Sequence, residues 1–577
     1  YYVDPKLFAE HPEYFAMDEN GLRHPPRSFT AQGSPCLSNR AVWDVALESL
    51  RGYIKRDRKD LPQEKWPILY DISSLDNTPY FCKCPDCQKI VDREGGDAGL
   101  ILPFINYIAE KIRHEYPDIL IRTFAYSSAR DVPRTVRPAQ NVIIQVCDEF
   151  PQSECYRALS HPFNQENLAM LQAWSDTGAQ LALWDYWNMG GSFFNPPRIE
   201  TITESLQEDL RTFRKLNFIS LFLEAERDQI VPQNFIDLNY FLAAQLMLDP
   251  DKNQKDLIDL FMRGFYGPAA PQMREYLEIL RRGIRNQPNK QRTMRVGRWQ
   301  FITPEFLMQS LQMFEQALLI VPEGSPYRFR VQNEMLPLLW QMLQARHELE
   351  IPMKTASIRF SDIQEQCRKF SLEYLHREQP KNPKRYLEEF EERFAALTAH
   401  MPVPERFRNI PPEDIRIYGY PYFRPMKHVG SDIVEDPEAV SGKALSSFHE
   451  DPTRHGLQTM YVDDSKNFRC RASKFAVACL DREQESSIVI ETVPDDEKYH
   501  WYCIPNAEIS GKTLLWGHLW ALQFELSQAY MVTDGLSNAN LWDCWFSLKF
   551  TGPAYIPGSQ KPNSVNLDQV VLVRPQP

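Results

Sequence analysis

The chain has 577 residues, with 77 Asp and Glu against 65 Lys and Arg and a formal net charge of −12. That balance argues against a nucleic-acid or anionic-membrane partner, and the sequence holds no run of about 18 or more apolar residues that would read as a membrane span. The 11 cysteines are odd in number and follow no repeated spacing, which excludes a disulfide scaffold. The length is enough for about two to four domains.

The first residues, YYVDPKLFAEHPEYFA, have neither the basic start nor the apolar stretch of a signal peptide. They read as the middle of a domain. Residues 1 to about 40 are loop-like. From Ala41 the apolar positions Val42, Val45, Ala46, Leu50 and Tyr53 recur at helical spacing. A strand is expected at 67–71, a helix at 99–116 and a strand at 120–126. The segment 127–141 carries two prolines, Pro133 and Pro138, and is expected to lack a long helix. Strands follow at 142–147, 181–186 and 218–224, with helices near 165–177 and 202–216 between them.

Strands alternating with helices imply parallel βαβ units. Strands buried on both faces read as near-continuous apolar runs, and these do. An open doubly wound sheet and a closed (β/α)8 barrel both fit. The barrel is preferred because polar and aromatic residues crowd the carboxyl ends of the strands, where barrel enzymes keep their chemistry. With five strands visible, about three of the eight are expected before Tyr1.

From about 231 to 400 the pattern is helical, with stops at Asp249-Pro250 and Tyr266-Gly267-Pro268. Beyond it the sequence changes to short alternating strands, as in a β-sandwich or jelly roll. The expected domains are an α/β (β/α)8 TIM-type barrel over 1–250, lacking its N-terminal strands, a helical domain over 251–402, a linker over 403–428, and a β-sandwich over 429–577.

Asp71, Asp76, Asp148, Glu149, Asp185, Glu224 and Glu226 end or follow the buried strands. So many acids together are costly unless paired, hydrogen-bonded or used. Glycoside hydrolysis needs two carboxyl groups, one to protonate the leaving oxygen and one as base or nucleophile, and neighbouring carboxylates separate their pKa values as that division requires. Asp76 is expected as the acid and Asp185 as nucleophile or base, with Glu149 and Glu224 assisting. Tyr126, Trp184, Tyr186, Trp187, Asn77, Asp148 and Glu226 are expected to bind substrate, the aromatics by stacking on sugar faces. A glycan-binding protein without catalysis fits the same residues.

Cys82, Cys84 and Cys87, in CKCPDC, have the spacing of three tetrahedral zinc ligands, with Cys36, Cys147 or Cys155 as a fourth. Such a site would be structural, because an all-thiolate set leaves no open position. A reduced or partly disulfide-linked cluster that pins the loop is the alternative. Serine-nucleophile, zinc-protease and nucleotide-binding motifs are absent.

HPEYFA, the acidic loop followed by CxCxxC, TFAY, VIIQVC, WDYW, and LMLDP followed by FYGPAA resemble a bacterial domain-of-unknown-function family of polysaccharide-utilisation proteins. The resemblance covers about residues 1–285. That family is distantly similar to α-glucuronidases and β-hexosaminidase-type barrels. The resemblance implies a glycosidase-type barrel, a carbohydrate partner, no catalytic cofactor, and a periplasmic or extracellular location. It places Asp76, Asp148 or Glu149, and Asp185 where α-glucuronidases carry acids after strands four, six and seven. Asp76 stands there in place of the usual glutamate. AVSGKA (439–444) and VNLDQVVLV (565–573) are similar to the first and last strands of carbohydrate-binding jelly rolls. Trp516, Trp520, Trp542 and Trp545 are candidate platforms, although Trp542 and Trp545 fall on opposite faces of one strand.

Overall fold

The computed structural model describes residues 1–25, 33–74, 81–147, 154–187, 199–224, 232–291, 299–378, 383–421, 431–449, 473–479, 484–490, 494, 496–508, 513–517, 524–526, 541–551 and 563–575. The chain divides into two compact units. One comprises Tyr1–Asn188, Ser205–Ala225 and Gln245–Lys252, the other Met189–Glu204, Glu226–Ala244 and Asn253–Pro577.

In the first unit the elements run α1 (Ala41–Arg58), β1 (Leu69–Asp71), α2 (Pro85–Glu94), α3 (Ala98–Glu115), β2 (Leu120–Ala125), β3 (Val142–Cys147), α4 (Gln165–Asp176), β4 (Gln180–Tyr186), α5 (Leu206–Lys215) and β5 (Phe218–Glu224). Helix α2 was not expected from the sequence. It starts on Pro85, whose fixed φ suits a first helical turn, and stops at Gly95, which takes the left-handed conformation at φ 88°. The proline-rich 127–141 stretch holds a 3-10 turn at Ser127–Ala129 and no α-helix.

The five strands are all parallel and lie in sequence order, β1-β2-β3-β4-β5. A doubly wound sheet reverses its order at a switch point. This one does not, and it curls as a half-barrel. Among the described residues five strands of the expected eight are present, and the barrel is not closed.

Residues alternate between the two faces of each strand, and the register fixes which residues share a face. One face carries Ile121, Ala125, Val142, Ile144, Val146, Leu181 and Leu183, all buried, and helices α3 and α5 lie against this sheet. The other face carries Arg122 and Phe124 on β2, Gln145 on β3, Trp184 and Tyr186 on β4, and Phe222 and Glu224 on β5. It is the half-open, aromatic face.

The loop leaving β3 is anchored by Asn164. Its Nδ2 donates to the carbonyls of Glu154 at 3.0 Å, Arg157 at 2.9 Å and Ala158 at 3.2 Å, and its Oδ1 accepts from Glu154 N at 3.1 Å. Beside it Glu154 and Arg157 form a buried ion pair, 2.6 Å from Nε to Oε1.

The second unit contains the helices α6 (Ile236–Leu248, which ends in the first unit's residues), α7 (Gln254–Tyr266), α8 (Ala270–Arg285), α9 (Pro304–Ile320), α10 (Pro326–Gln344), α11 (Arg346–Thr355), α12 (Phe360–Glu378) and α13 (Pro383–Thr398). Asn253, Thr303 and Ser325 cap α7, α9 and α10 by accepting from backbone N–H groups of the first turn. No helix among the described residues is long and apolar enough to cross a membrane.

After the helices come β6 (Ile415–Gly419), β7 (Ser431–Glu435), β8 (Lys443–His449), β9 (Ser473–Cys479), β10 (Gln484–Ile490), β11 (His500–Glu508), β12 (Thr513–Gly517), β13 (Phe524–Leu526), β14 (Leu541–Thr551) and β15 (Asn563–Val573). They form an antiparallel sheet β10-β9-β12-β13 and another, β11-β14-β15-β8-β7, with β6 also on β15. These pairings establish antiparallel sheets. Residues 456–462 and 529–532, whose sequence also reads as short strands, lie outside the described residues. Strand β6 lies within the expected linker at 403–428. Its Ile415 and Ile417 pack with Phe407 against Val571 and Val573, an alternation that the surrounding prolines mask in the sequence. Trp542 is fully buried, whereas Trp545 on the opposite face is partly buried against Phe407 with the Arg406 guanidinium 4.2 Å from its ring. Trp520 lies outside the described residues.

Replacing Asn164 by Ala removes all four of these hydrogen bonds, so stability should fall by about 2–4 kcal/mol. Urea unfolding followed by far-UV circular dichroism checks this, and an unchanged midpoint would contradict the anchoring role.

Candidate active site

The carboxyl ends of β2 to β5 gather an acidic residue among aromatic rings. Glu224 ends β5, and its Oε2 accepts from Trp184 Nε1 at 2.8 Å across the β4–β5 pair. Trp184 lies opposite Phe222 in the register, with ring centroids 4.2 Å apart, and meets Phe124 of β2 edge-on at 5.5 Å. Tyr186 continues the row, its centroid 6.3 Å from Trp184. Tyr126 follows β2 in an extended conformation, φ −143° and ψ 140°. The period of two therefore puts it on the side of Phe124. Trp184, Tyr186 and Tyr126 are partly exposed, and Phe222 is 46% exposed. A carboxylate oriented by an indole N–H beside half-exposed rings can hydrogen-bond sugar hydroxyls while the rings cover apolar sugar faces.

Asp185 is elsewhere. It sits one residue from both Trp184 and Tyr186, so it points to the opposite, helix-covered side of β4. There its Oδ2 accepts from Trp187 Nε1 at 2.9 Å, and Trp187 itself is buried. Burial pushes the Asp185 carboxyl up to about 6. Asp209, in the first turns of α5, shares its surroundings. Burial raises that carboxyl well above its ordinary range, the charge of Asp185 adds to the rise, and its Oδ1 accepts from Leu159 N at 2.7 Å. Asp185 and Glu224, expected from the sequence to meet at one rim, lie on opposite faces of the sheet. The physical reason is the two-residue period, which no list of strand-end acids takes into account.

Asp71 shares the aromatic face at its β1 edge, where it pairs with Arg122, Nη2 to Oδ2 3.0 Å. Ser73 Oγ accepts from Phe124 N at 3.1 Å. Asp76, Asn77, Asp148, Glu149 and Glu226 lie outside the described residues. One residue was missed. Gln145 is the polar member of VIIQVC, is 2% exposed, and faces the Trp184 side of the sheet, and its Oε1 has no hydrogen-bond partner among the described residues. A lone amide in an apolar strand was the available signal.

The cysteines form a second constellation. Cys36, Cys82, Cys84 and Cys87 are all buried, and their sulfurs lie within 4.8 Å of one another. Of the three fourth ligands expected, Cys36 is the one in place. The Cys36 thiol is held far below its ordinary range, chiefly by the hydrogen bond from the Cys82 thiol and then by that from Cys87.

The family model described as Domain of unknown function (DUF4838) matches residues 2–278. These residues are similar to that family, and the matched region contains β1 to β5, the aromatic–acidic patch and the cysteine cluster. A search of curated proteins gives no match. Among solved structures, a family GH115 4-O-methyl-α-glucuronidase with specificity for decorated arabinogalactans matches at 10% identity and a TM-score of 0.34, over 93% of this chain and 67% of that one. A GH138 enzyme targeting pectin rhamnogalacturonan II matches at 9% identity and a TM-score of 0.26, over 93% of this chain and 76% of that one. Both of these neighbours are glycoside hydrolases of complex polysaccharides. At such scores the likeness decides nothing for this chain.

The sign of the Asp185 effect on stability follows from its raised carboxyl. Between the ordinary aspartate range near 4 and about 6 the folded state binds more protons than the unfolded one, so stability declines as pH rises through that window. Asp185→Asn keeps an acceptor for Trp187 and removes the buried charge. It should leave stability at pH 4 nearly unchanged and raise it at pH 8 by on the order of 1–3 kcal/mol. Thermal unfolding at the two pH values checks this, and equal loss at both would contradict it.

Proposed function

We propose that the DUF4838-like region is a glycoside hydrolase domain acting on a complex polysaccharide or its oligosaccharides through two carboxyl groups. The observation that carries this reading is the Glu224 carboxylate, oriented by the Trp184 indole and set among Phe124, Tyr186 and Phe222 at the carboxyl ends of parallel strands. Active sites of (β/α) barrels use that end of the sheet.

In this reading Asp76 protonates the leaving glycosidic oxygen. Glu224, with Glu149, supplies the carboxylate on the other side of the sugar ring, as base or nucleophile. Trp184, Tyr186 and Tyr126 hold the sugar, and Asn77, Asp148 and Glu226 bind its hydroxyls. Asp185 acts from behind the sheet by fixing Trp187, a positioning role in place of the direct one expected from the sequence. The sandwich at 429–577 serves as a carbohydrate-binding module, and the protein works outside the cytoplasm.

A second reading is glycan binding without cleavage. It is favoured by one observation: the described carboxylates on the aromatic face are Glu224 and Asp71, and Asp71 is already paired with Arg122.

A screen of the purified chain against oligosaccharides released from plant and host polysaccharides separates the two. The hydrolase reading predicts turnover of at least one class, and a drop in kcat/KM of about a thousandfold or more for Glu224→Gln and for Asp76→Asn. Asp185→Asn should change it by less than about tenfold, because the residue touches no reacting atom in this reading. Wild-type turnover in both Glu224→Gln and Asp76→Asn would end the assignment. Binding without turnover across the panel would leave the second reading in its place.

A further inference from the structure

The four cysteines have a geometry that the sugar chemistry does not explain. Cys36 Sγ lies 3.5 Å from Cys82 Sγ, 3.8 Å from Cys84 Sγ and 3.9 Å from Cys87 Sγ. A disulfide would bring two sulfurs to about 2.0 Å, and all four cysteines are free. Four thiolates at about 2.3 Å from one tetrahedral zinc ion lie about 3.8 Å apart along each edge. The three separations match that edge. The ligands of a polynuclear iron–sulfur cluster bind separate irons and stand further apart, so a single ion fits better.

The surroundings suit negative sulfur. Met17 N–H donates to Cys82 Sγ at 3.3 Å, and the Ser38 hydroxyl lies 3.2 Å from Cys87 Sγ, 3.4 Å from Cys36 Sγ and 3.6 Å from Cys84 Sγ. The Arg23 guanidinium stands beside Cys36. Cys84 is the N-cap of α2 and Cys87 falls in its first turn, where the helix end favours anions. Donors aimed at the sulfurs are what hold and tune a tetrathiolate ion.

We propose that Cys36, Cys82, Cys84 and Cys87 bind one zinc ion as a closed structural site. The ion ties the segment before α1, which holds Cys36, to the turn between β1 and α2, 46 residues further on. Four protein thiolates leave no position for water or substrate, so the metal stabilises this part of the fold and takes no part in the chemistry. The inference does not depend on the glycosidase reading.

The test is metal analysis of the full chain purified from zinc-replete cells without chelator. We expect about one zinc per chain, and cobalt grown in its place should give the visible ligand-field bands of a tetrahedral tetrathiolate. Cys36→Ser and Cys87→Ser should each lose most of the metal, while Cys147→Ser keeps it. If the first two variants do not fold, the wild-type protein still decides. Titration with a mercurial thiol reagent should release zinc as the cluster thiols react, and chelation should lower the unfolding temperature. Folded protein without metal, iron in place of zinc, or zinc retained in full by folded Cys36→Ser would each overturn the proposal.

Discussion

The hydrogen bond from the Trp184 indole to Glu224 is the contact on which the functional reading turns. It crosses from β4 to β5 and forms only because the two strands are parallel, adjacent and in the register that sets Trp184 opposite Phe222. A slip of one residue would send Glu224 to the helix-covered side and leave the rings without an acid. The same register carries Asp185 to that side, where burial raises its carboxyl and Trp187 holds it. One pairing pattern thus assigns two neighbouring acids to different environments.

From that pattern the site's properties follow. Its rings come from three strands, Phe124 from β2, Trp184 and Tyr186 from β4, and Phe222 from β5, so their spacing is fixed by the sheet and not by a loop. Helices lie against the sheet, whose aliphatic face is buried. Rigid positioning of this kind lowers the cost of orienting a sugar between a carboxylate and a stacking surface. The Asn164 anchor and the Glu154–Arg157 pair do similar work for residues 154–164.

Much of this was legible in the sequence. The five strands could be read from near-continuous apolar runs such as Val142–Cys147 and Leu181–Leu183, because a strand buried on both faces, as β3 is, leaves little polar residue to confuse the pattern. Face assignment was not legible. Apolar runs do not alternate, so nothing in LALWDYW says which of Trp184 and Asp185 looks inward. Helix α2 buries little of its surface, Cys87 and Glu94, so it carries almost no apolar period, although Pro85 and Gly95 mark both its ends. Strand β6 was hidden by prolines on either side. Cys36 could be offered as a zinc ligand from the sequence, but choosing it over Cys147 and Cys155 needed the fold, since 46 residues separate it from Cys82. Gln145 was visible as the odd residue of VIIQVC and went unused.

The central claim is that the face carrying Trp184 and Glu224 receives the sugar. It is tested most directly by calorimetric titration of the Glu224→Gln protein with the oligosaccharide that the wild-type chain accepts, repeated with Trp184→Ala added. The account predicts a loss of affinity of at least about tenfold, or 1.4 kcal/mol, on removing the ring. Equal affinity in the two proteins would contradict it.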